Sequence, residues 1–323
     1  QAKAAHLTWG PAKLLPPSET DAELAAAWPA TSTRGNILAR HGLVTMRRRR
    51  RRVTAWSQPF QQCDGPNAVW CADFKGWVRT ADGSRCDPLT ISDAYSRMFL
   101  CCQIVPKPDY FHVRPVFERA FREYGLPQAI RTDNGPPFAS VGAGGLSPLA
   151  AWWVKLGIIP ERIEPGHPEQ NGRHERMHRT LKQETMHPPA ATPAAQQKRC
   201  DAFRMTYNTQ RPHQALGQVP PATLYVPSPR HYPLRVHDPV YPPLTEVRRV
   251  RSNGQIKWRG ELVFVGEVLT GELVGITEHQ DAWLVSYGPI QLGRLRPHQR
   301  KLDRLPFRLA SGPEEFFVTD VHS

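Results

Sequence analysis

Between positions 66 and 184 the hydrophobic period changes repeatedly, and this limits the fold more than any other feature of the chain. Residues 69–78 read as a strand that runs into Asp82-Gly83, a pair suited to a tight hairpin. Residues 88–92 and 98–105 continue as strands. Residues 109–124 then place Phe111, Val113, Val116, Phe117, Ala120, Phe121 and Tyr124 on roughly one helical face. A strand over 128–132, a helix over 146–156, a strand over 158–163 and a polar helix over 168–184 follow, the last with proline in its first turn. Three strands followed by alternating helix and strand predict a mixed sheet flanked by helices.

The remainder divides around this unit. Residues 1–46 read as a small helical unit, with helix starts at 11–15 and 21–28 and a third helix over 32–41, capped by Ser32 and stopped by Gly42. Two helices joined by a tight turn suit a helix-turn-helix whose second helix offers Arg34, Asn36 and Arg40 to a major groove; an ordinary helical subdomain is the alternative. Residues 47–65 form a basic linker that opens on Arg47, Arg48, Arg49, Arg50, Arg51 and Arg52. Like charges repel and keep such a run extended, so it is either a solvated tether or an arm that tracks phosphates. Residues 66–226 make up the core with a helical extension that includes a helix at 194–207, and 227–245 is a proline-rich linker. Short alternating strands over 246–305 suggest a small β-barrel. Residues 306–323 are a tail.

Lys and Arg number 42 against 29 Asp and Glu, a net charge of +13 over 323 residues, which makes a polyanion the leading partner. The six cysteines form no CxxC pair and no His cluster stands at zinc-finger spacing, which argues against structural zinc and fits a reducing cytosol. The lack of an 18-residue apolar run argues against a membrane span. The chain opens Gln-Ala-Lys, with neither an initiator Met nor a signal-peptide core, and reads as a fragment lacking its true N-terminus.

Three carboxylates stand out. Asp73 interrupts an apolar strand, where a charge is costly unless paired or bound to metal. Asp133 follows a strand and precedes the Asn134-Gly135 turn, at the carboxyl end where ligands gather. Glu175 lies early in the polar helix. Three oxygen donors from two strands and one helix suit one or two hard divalent ions, and crowding them without a cation would raise their pKa values. Each alone has a plainer reading, as a turn former or a surface helix residue.

Together the motifs are specific. Trp-Cys-Ala-Asp at 70–73, Arg-Thr-Asp-Asn-Gly-Pro-Pro-Phe at 131–138 and Pro-Gly-His-Pro-Glu-Gln-Asn-Gly-Arg-His-Glu at 165–175 resemble the active-site motifs of DDE transposases of bacterial insertion sequences, whose core is retroviral-integrase-like. Tyr-Asn-Thr-Gln-Arg-Pro-His-Gln-Ala-Leu at 207–216 resembles that family's downstream signature. The resemblance implies a ribonuclease-H-like core with Asp73, Asp133 and Glu175 as catalytic metal ligands. It also implies two Mg²⁺ (or Mn²⁺) ions, and Asn171, Arg179 and Lys182 beside the DNA. His178 is read with Arg179 and Lys182 as one basic face that follows Glu175. The 42 positions between Asp133 and Glu175 exceed the family's usual spacing, an excess that glycine-rich 142–145 can carry as a loop. Glu169 and Glu184 compete for the third place, and the Asn-Gly step before it favours Glu175. The expected partners are double-stranded DNA at transposon ends and target, and further copies of the chain; the expected location is bacterial cytoplasm at the nucleoid. A nuclease without strand transfer, or a DNA-binding protein without activity, are the rival readings.

Overall fold

The computed structural model describes residues 3, 8–14, 27–44, 63–140, 142–163, 172–305, 309 and 316. The core sheet is built from β1 (Val69–Phe74), β2 (Val78–Arg79), β3 (Arg85–Asp93), β4 (Phe99–Val105), β5 (Ala129–Thr132) and β6 (Ile159–Arg162). β3 pairs antiparallel with β1, β2 and β4, while β5 runs parallel to both β1 and β6. β1 lies between antiparallel β3 and parallel β5, with β4 beyond β3 and β6 beyond β5, and this makes the mixed sheet that the alternation predicted, an arrangement that fits a ribonuclease-H-like core. The predicted strand over 69–78 is two, because the chain leaves the sheet after Phe74 and re-enters at Val78.

Side-chain alternation sends Trp70, Ala72, Leu89 and Ile91 to one face of this sheet. There α1 (Thr31–Arg40) has no part; the cover comes from α2 (Tyr110–Tyr124) and α3 (Pro148–Lys155). Asp109 caps α2 by accepting from the His112 N–H at 3.0 Å, and Ser147 caps α3 by accepting from Ala150 N–H at 3.1 Å. Val113, Val116, Phe117, Ala120 and Phe121 are buried, as their spacing requires. Phe111 is the exception: it is 81% exposed, because the buried stripe of α2 lies on the opposite side. α4 (Gly172–Thr185) and α5 (Pro193–Thr209) cover the other face, where Met177, Leu181, Cys200 and Phe203 pack with Phe99 and Cys102 of β4.

The C-terminal unit departs from the barrel expected of it. β7 (Glu246–Arg249), β10 (Leu273–His279), β11 (Ala282–Tyr287), β12 (Ile290–Leu295) and β13 (Asp303–Arg304) form one open sheet, and β8 (Gln255–Trp258) pairs with β9 (Glu261–Phe264) as a separate hairpin. Among the described residues no closed barrel exists, since closure needs a continuous ladder around the sheet and the hairpin joins it only through a bridge between Phe264 and Lys301. The two layers instead meet through side chains, with Trp258 and Trp283 edge to face at 5.8 Å.

This unit is not a free appendage. Val285, Tyr287, Ile290 and Leu292 belong to the same apolar cluster as Leu146, Trp153 and Val154. Lys155 adds ion pairs to Asp238 at 2.9 Å and Glu272 at 3.1 Å, which gives it a structural role. The glycine-rich insertion is a docking point as well as a loop: Gly144 sits at φ +59°, and a Cβ there would meet Leu292 at 3.0 Å and Ile290 at 3.1 Å.

The N-terminal unit shows α1 and a 3-10 turn, Pro11–Lys13, around a small core of Trp9, Leu14 and Leu38. Ser32 is not the cap; α1 begins one residue earlier, at Thr31, after Ala30. Gly42 ends it at φ +64°, as expected of a helix stop. The helix over 21–28 lies, but for its last two residues, outside the described residues, so a helix-turn-helix is not defined here. None of the six cysteines forms a disulfide, and no helix among the described residues is long and apolar enough to cross a membrane.

Trp153 is fully buried between Phe117 and Phe138, at the seam of core and C-terminal sheet. Trp153→Ala is expected to cost about 3–5 kcal/mol, read as a shift of the urea midpoint; a loss under ~1 kcal/mol would show that the seam does not bear on stability.

Candidate functional site

Asp73 occupies the carboxyl-terminal end of β1, not the middle of a longer strand as expected, because β1 stops at Phe74. The parallel register pairs Val69 with Ala129, Trp70 with Ile130 and Cys71 with Arg131. Carried two residues beyond its last pair, that register would set Asp73 level with Asp133, just past the end of β5. Val69, Cys71 and Ala129 share one buried cluster, and alternation sends Asp73 to that same face of the sheet. Asp133 is exposed, and its Oδ1 accepts the Gly135 N–H at 3.3 Å, so the carboxylate is held over the turn that follows it.

The face carrying Asp73 also carries Thr90, its direct partner across β3. The Thr90 hydroxyl donates to the Asp73 carbonyl oxygen at 2.9 Å. Its oxygen also lies 2.7 Å from His174 Nε2 and 2.6 Å from His178 Nε2, one helical turn apart on α4. A hydroxyl has one proton, already given to the carbonyl, so both ring nitrogens must donate to it. In the neutral form Nδ1 is then unprotonated, and His174 Nδ1 lies 3.2 Å from Ser92 Oγ, a hydroxyl that can donate to it. Burial agrees with neutrality: it pushes His174 down to about 3, and, with His174 and Lys75 nearby, it lowers His178 well below the ordinary value.

His178 therefore does not belong to the basic outer face that its position after Glu175 suggested. It is 5% exposed and points at the sheet. Helical geometry makes this necessary, because residues 174, 178 and 181 follow one another along the inward side, and Leu181 is fully buried there. Glu175, Arg179 and Lys182 occupy the outer side and are exposed. Lys75, which no motif singled out, feels the charges of Lys182, Asp73 and Glu175. Burial and Lys182 lower the Lys75 pKa, while Asp73 and Glu175 raise it.

The chemistry of the donors fits a divalent ion. The tight group among the described residues is Asp73, His174 and His178, whose candidate atoms lie within 4.8 Å of one another; Asp133 and Glu175 are not members of it. His178 Nδ1, an unprotonated lone pair by the argument above, faces Asp73 Oδ2 at 3.9 Å. Two Lewis bases so placed favour a cation between or beside them, and carboxylate oxygens suit Mg²⁺ and Mn²⁺. A His-x-x-x-His spacing facing an acid was the one readable signal for this cluster, and a search for zinc-finger spacing passes over it.

Other expected residues stand apart from this site. Asn36 and Arg40 are exposed on α1, whereas Arg34 is partly committed, with Nη2 donating to Thr31 Oγ1 at 2.8 Å and Nη1 to the Leu14 carbonyl. Arg47 to Arg52, Glu169 and Asn171 lie outside the described residues. Asp93 is a turn residue: its oxygens accept from Asn67 N–H, Ser96 N–H and Ser96 Oγ, each at 2.7 Å.

Residues 64–168 and 156–221 each match a family model described as an integrase core domain. The chain is 31% identical over 180 residues to an uncharacterized 39.2 kDa protein of insertion element IS476 from Xanthomonas euvesicatoria, covering 55% of this chain and 50% of that protein. It is 30% identical over 183 residues to an uncharacterized 31.7 kDa protein of insertion element IS407 from Burkholderia multivorans, covering 56% and 64%. The chain thus spans half to just under two thirds of these relatives. Among solved structures it is similar to the HTLV-2 integrase catalytic core domain in complex with magnesium, at 17% identity and a TM-score of 0.41, covering 50% of this chain and 99% of that one.

Thr90→Val would keep the shape of the side chain and leave two buried imidazole N–H groups without an acceptor. Each such group costs about 1–3 kcal/mol, so a loss in that range or above is expected in urea unfolding, with faster hydrogen exchange across residues 172–185. Unchanged exchange in α4 would show that the hydroxyl does not secure the helix.

Proposed function

We propose, from the premise that residues 64–221 are an integrase core domain of the kind carried by insertion elements, that the protein is a DNA transposase of the DDE type. One observation carries the reading: Asp73 and Asp133 end neighbouring parallel strands, and the helix bearing Glu175 is fastened over the same sheet face by His174 and His178 through Thr90. Asp73, Asp133 and Glu175 would hold one or two Mg²⁺ or Mn²⁺ ions. When bound, such ions polarise a phosphodiester and acidify the attacking hydroxyl.

The chain's own residues supply position and charge. Arg179 and Lys182 follow Glu175 by one and two turns on the exposed side of α4 and would fix the phosphates flanking the scissile one. Asn171, next to the first residue of α4, is assigned to the same strand. Neutral His174 and His178 add no positive charge beside the Asp73 carboxylate. Arg34, Asn36 and Arg40 of α1, with the run Arg47 to Arg52, are assigned to binding of the transposon ends as a helix-turn-helix and its basic arm. The reaction is end cleavage that exposes a 3′-hydroxyl, followed by attack of that hydroxyl on target DNA. Joining two ends calls for at least two copies of the chain on DNA.

Purified protein with Mg²⁺ and duplexes carrying its element's terminal repeats should nick the ends and join them to target DNA. Asp73→Asn, Asp133→Asn and Glu175→Gln should each abolish both steps while retaining DNA binding. Full strand transfer by any one of the three would overturn its assignment, and hydrolysis without joining by the wild type would make the protein a nuclease.

A further inference from the structure

Beside α4 lies a cavity of about 220 Å³, bordered by Arg176 and Thr180 and by the sheet-facing His174 and Met177. Four cations line it, from four distant parts of the chain: Lys13 of the N-terminal unit, Arg97 after β3, Arg176 of α4 and Arg211 after α5. Among the described residues Asp93 is the one acidic residue in the wall, and its carboxylate accepts three hydrogen bonds from Asn67 and Ser96. Arg211 shares its charge with Glu184 at 2.9 Å, outside the lining. An excess of positive charge remains around a space far larger than the roughly 30 Å³ share of one water.

Crowding like charges beside a partly enclosed space opposes folding unless an anion joins them. The strain is visible at Lys13, pushed down to about 8 by burial and by Arg211, with Glu184 pulling upward and Arg176 pushing further down. A second, independent mark is His213 in the same wall, whose buried Nε2 has no hydrogen-bond partner among the described residues. The site is also close to the carboxylates: Cys71, two residues before Asp73, lines it, and Arg176 directly follows Glu175.

We propose that this cavity is a phosphate subsite for a DNA strand, in which one backbone phosphate is gripped by Lys13, Arg176 and Arg211 and so fastens the N-terminal unit to the catalytic core. The inference deepens the transposase reading and rests on it for the identity of the polyanion. Lys13 gives the subsite its consequence. The N-terminal unit already touches the core through Thr8, which lies 3.4 Å from Arg211, and a phosphate shared with Lys13 would tighten that contact only when DNA is present.

The test uses the full chain and a fluorescent duplex of the terminal repeat, with anisotropy titrations across a salt series in the absence of divalent metal. Each phosphate neutralised adds about 0.9 to the slope of log K against log salt. Lys13→Gln/Arg176→Gln is expected to lower that slope by about 0.9 and weaken binding several-fold at 0.15 M salt, while Lys13→Arg/Arg176→Lys keeps both. Inorganic phosphate is the second probe, and millimolar phosphate should raise the Tm of the wild type and not of the Gln pair. An unchanged slope in the Gln pair overturns the proposal, whatever free phosphate does to the Tm. Because binding is read without metal, a protein that binds DNA through this subsite yet never cleaves it fails the transposase reading and not the subsite.

Discussion

The hydroxyl of Thr90 is the point on which the arrangement of this protein turns. It donates to the Asp73 carbonyl and accepts from two histidines of α4, so a single oxygen joins the central strand, its antiparallel neighbour and the helix that brings Glu175. Apolar packing alone would leave α4 free to slide, because Met177, Leu181 and their partners are non-directional contacts. Hydrogen bonds at 2.6 and 2.7 Å specify both the helix's height on the sheet and its rotation. Burying two imidazoles is tolerable because they stay neutral and satisfied, which explains why polar residues appear on the inward side of α4.

Charge is distributed around this pinned helix by side. The sheet-facing side is neutral, the outer side pairs Glu175 with Arg179 and Lys182, and the third side adds Arg176 to a cationic wall. Lys75 lies where the first two meet and feels Asp73, Glu175 and Lys182 together. A helix so partitioned presents a different chemistry on each side, and displacing it would disturb all of them at once.

Much of the core was legible beforehand because it depends on local patterns. The strand that starts at 69, the one over 88–92 and the stripe from Val113 to Phe121 are set by neighbours in sequence, and they lie where the periods put them. What escaped prediction depends on contacts between distant segments. His178 read as part of a basic face because its spacing from Glu175 allows that, and only the position of Thr90, 88 residues away, shows which way it points. The barrel failed for a similar reason: strand count and spacing do not determine whether the edges of a sheet meet. Phe111 fits a helical face on paper and faces outward, since a wheel gives the stripe's width less sharply than its centre.

The spacing between Asp133 and Glu175 shows how an insertion can be absorbed. Extra residues between two parts of one site would ordinarily add conformational freedom where order is needed. Here the insertion turns at Gly144 against Ile290 and Leu292 of β12, so the C-terminal sheet holds it. The same sheet presses Tyr287 against the Ala151 carbonyl on α3, at 3.4 Å. The C-terminal unit thus serves the core before any contact with DNA is considered, because it steadies the segment that joins the second carboxylate to the third. A chain lacking that unit would keep all three acids and lose part of what keeps their spacing fixed.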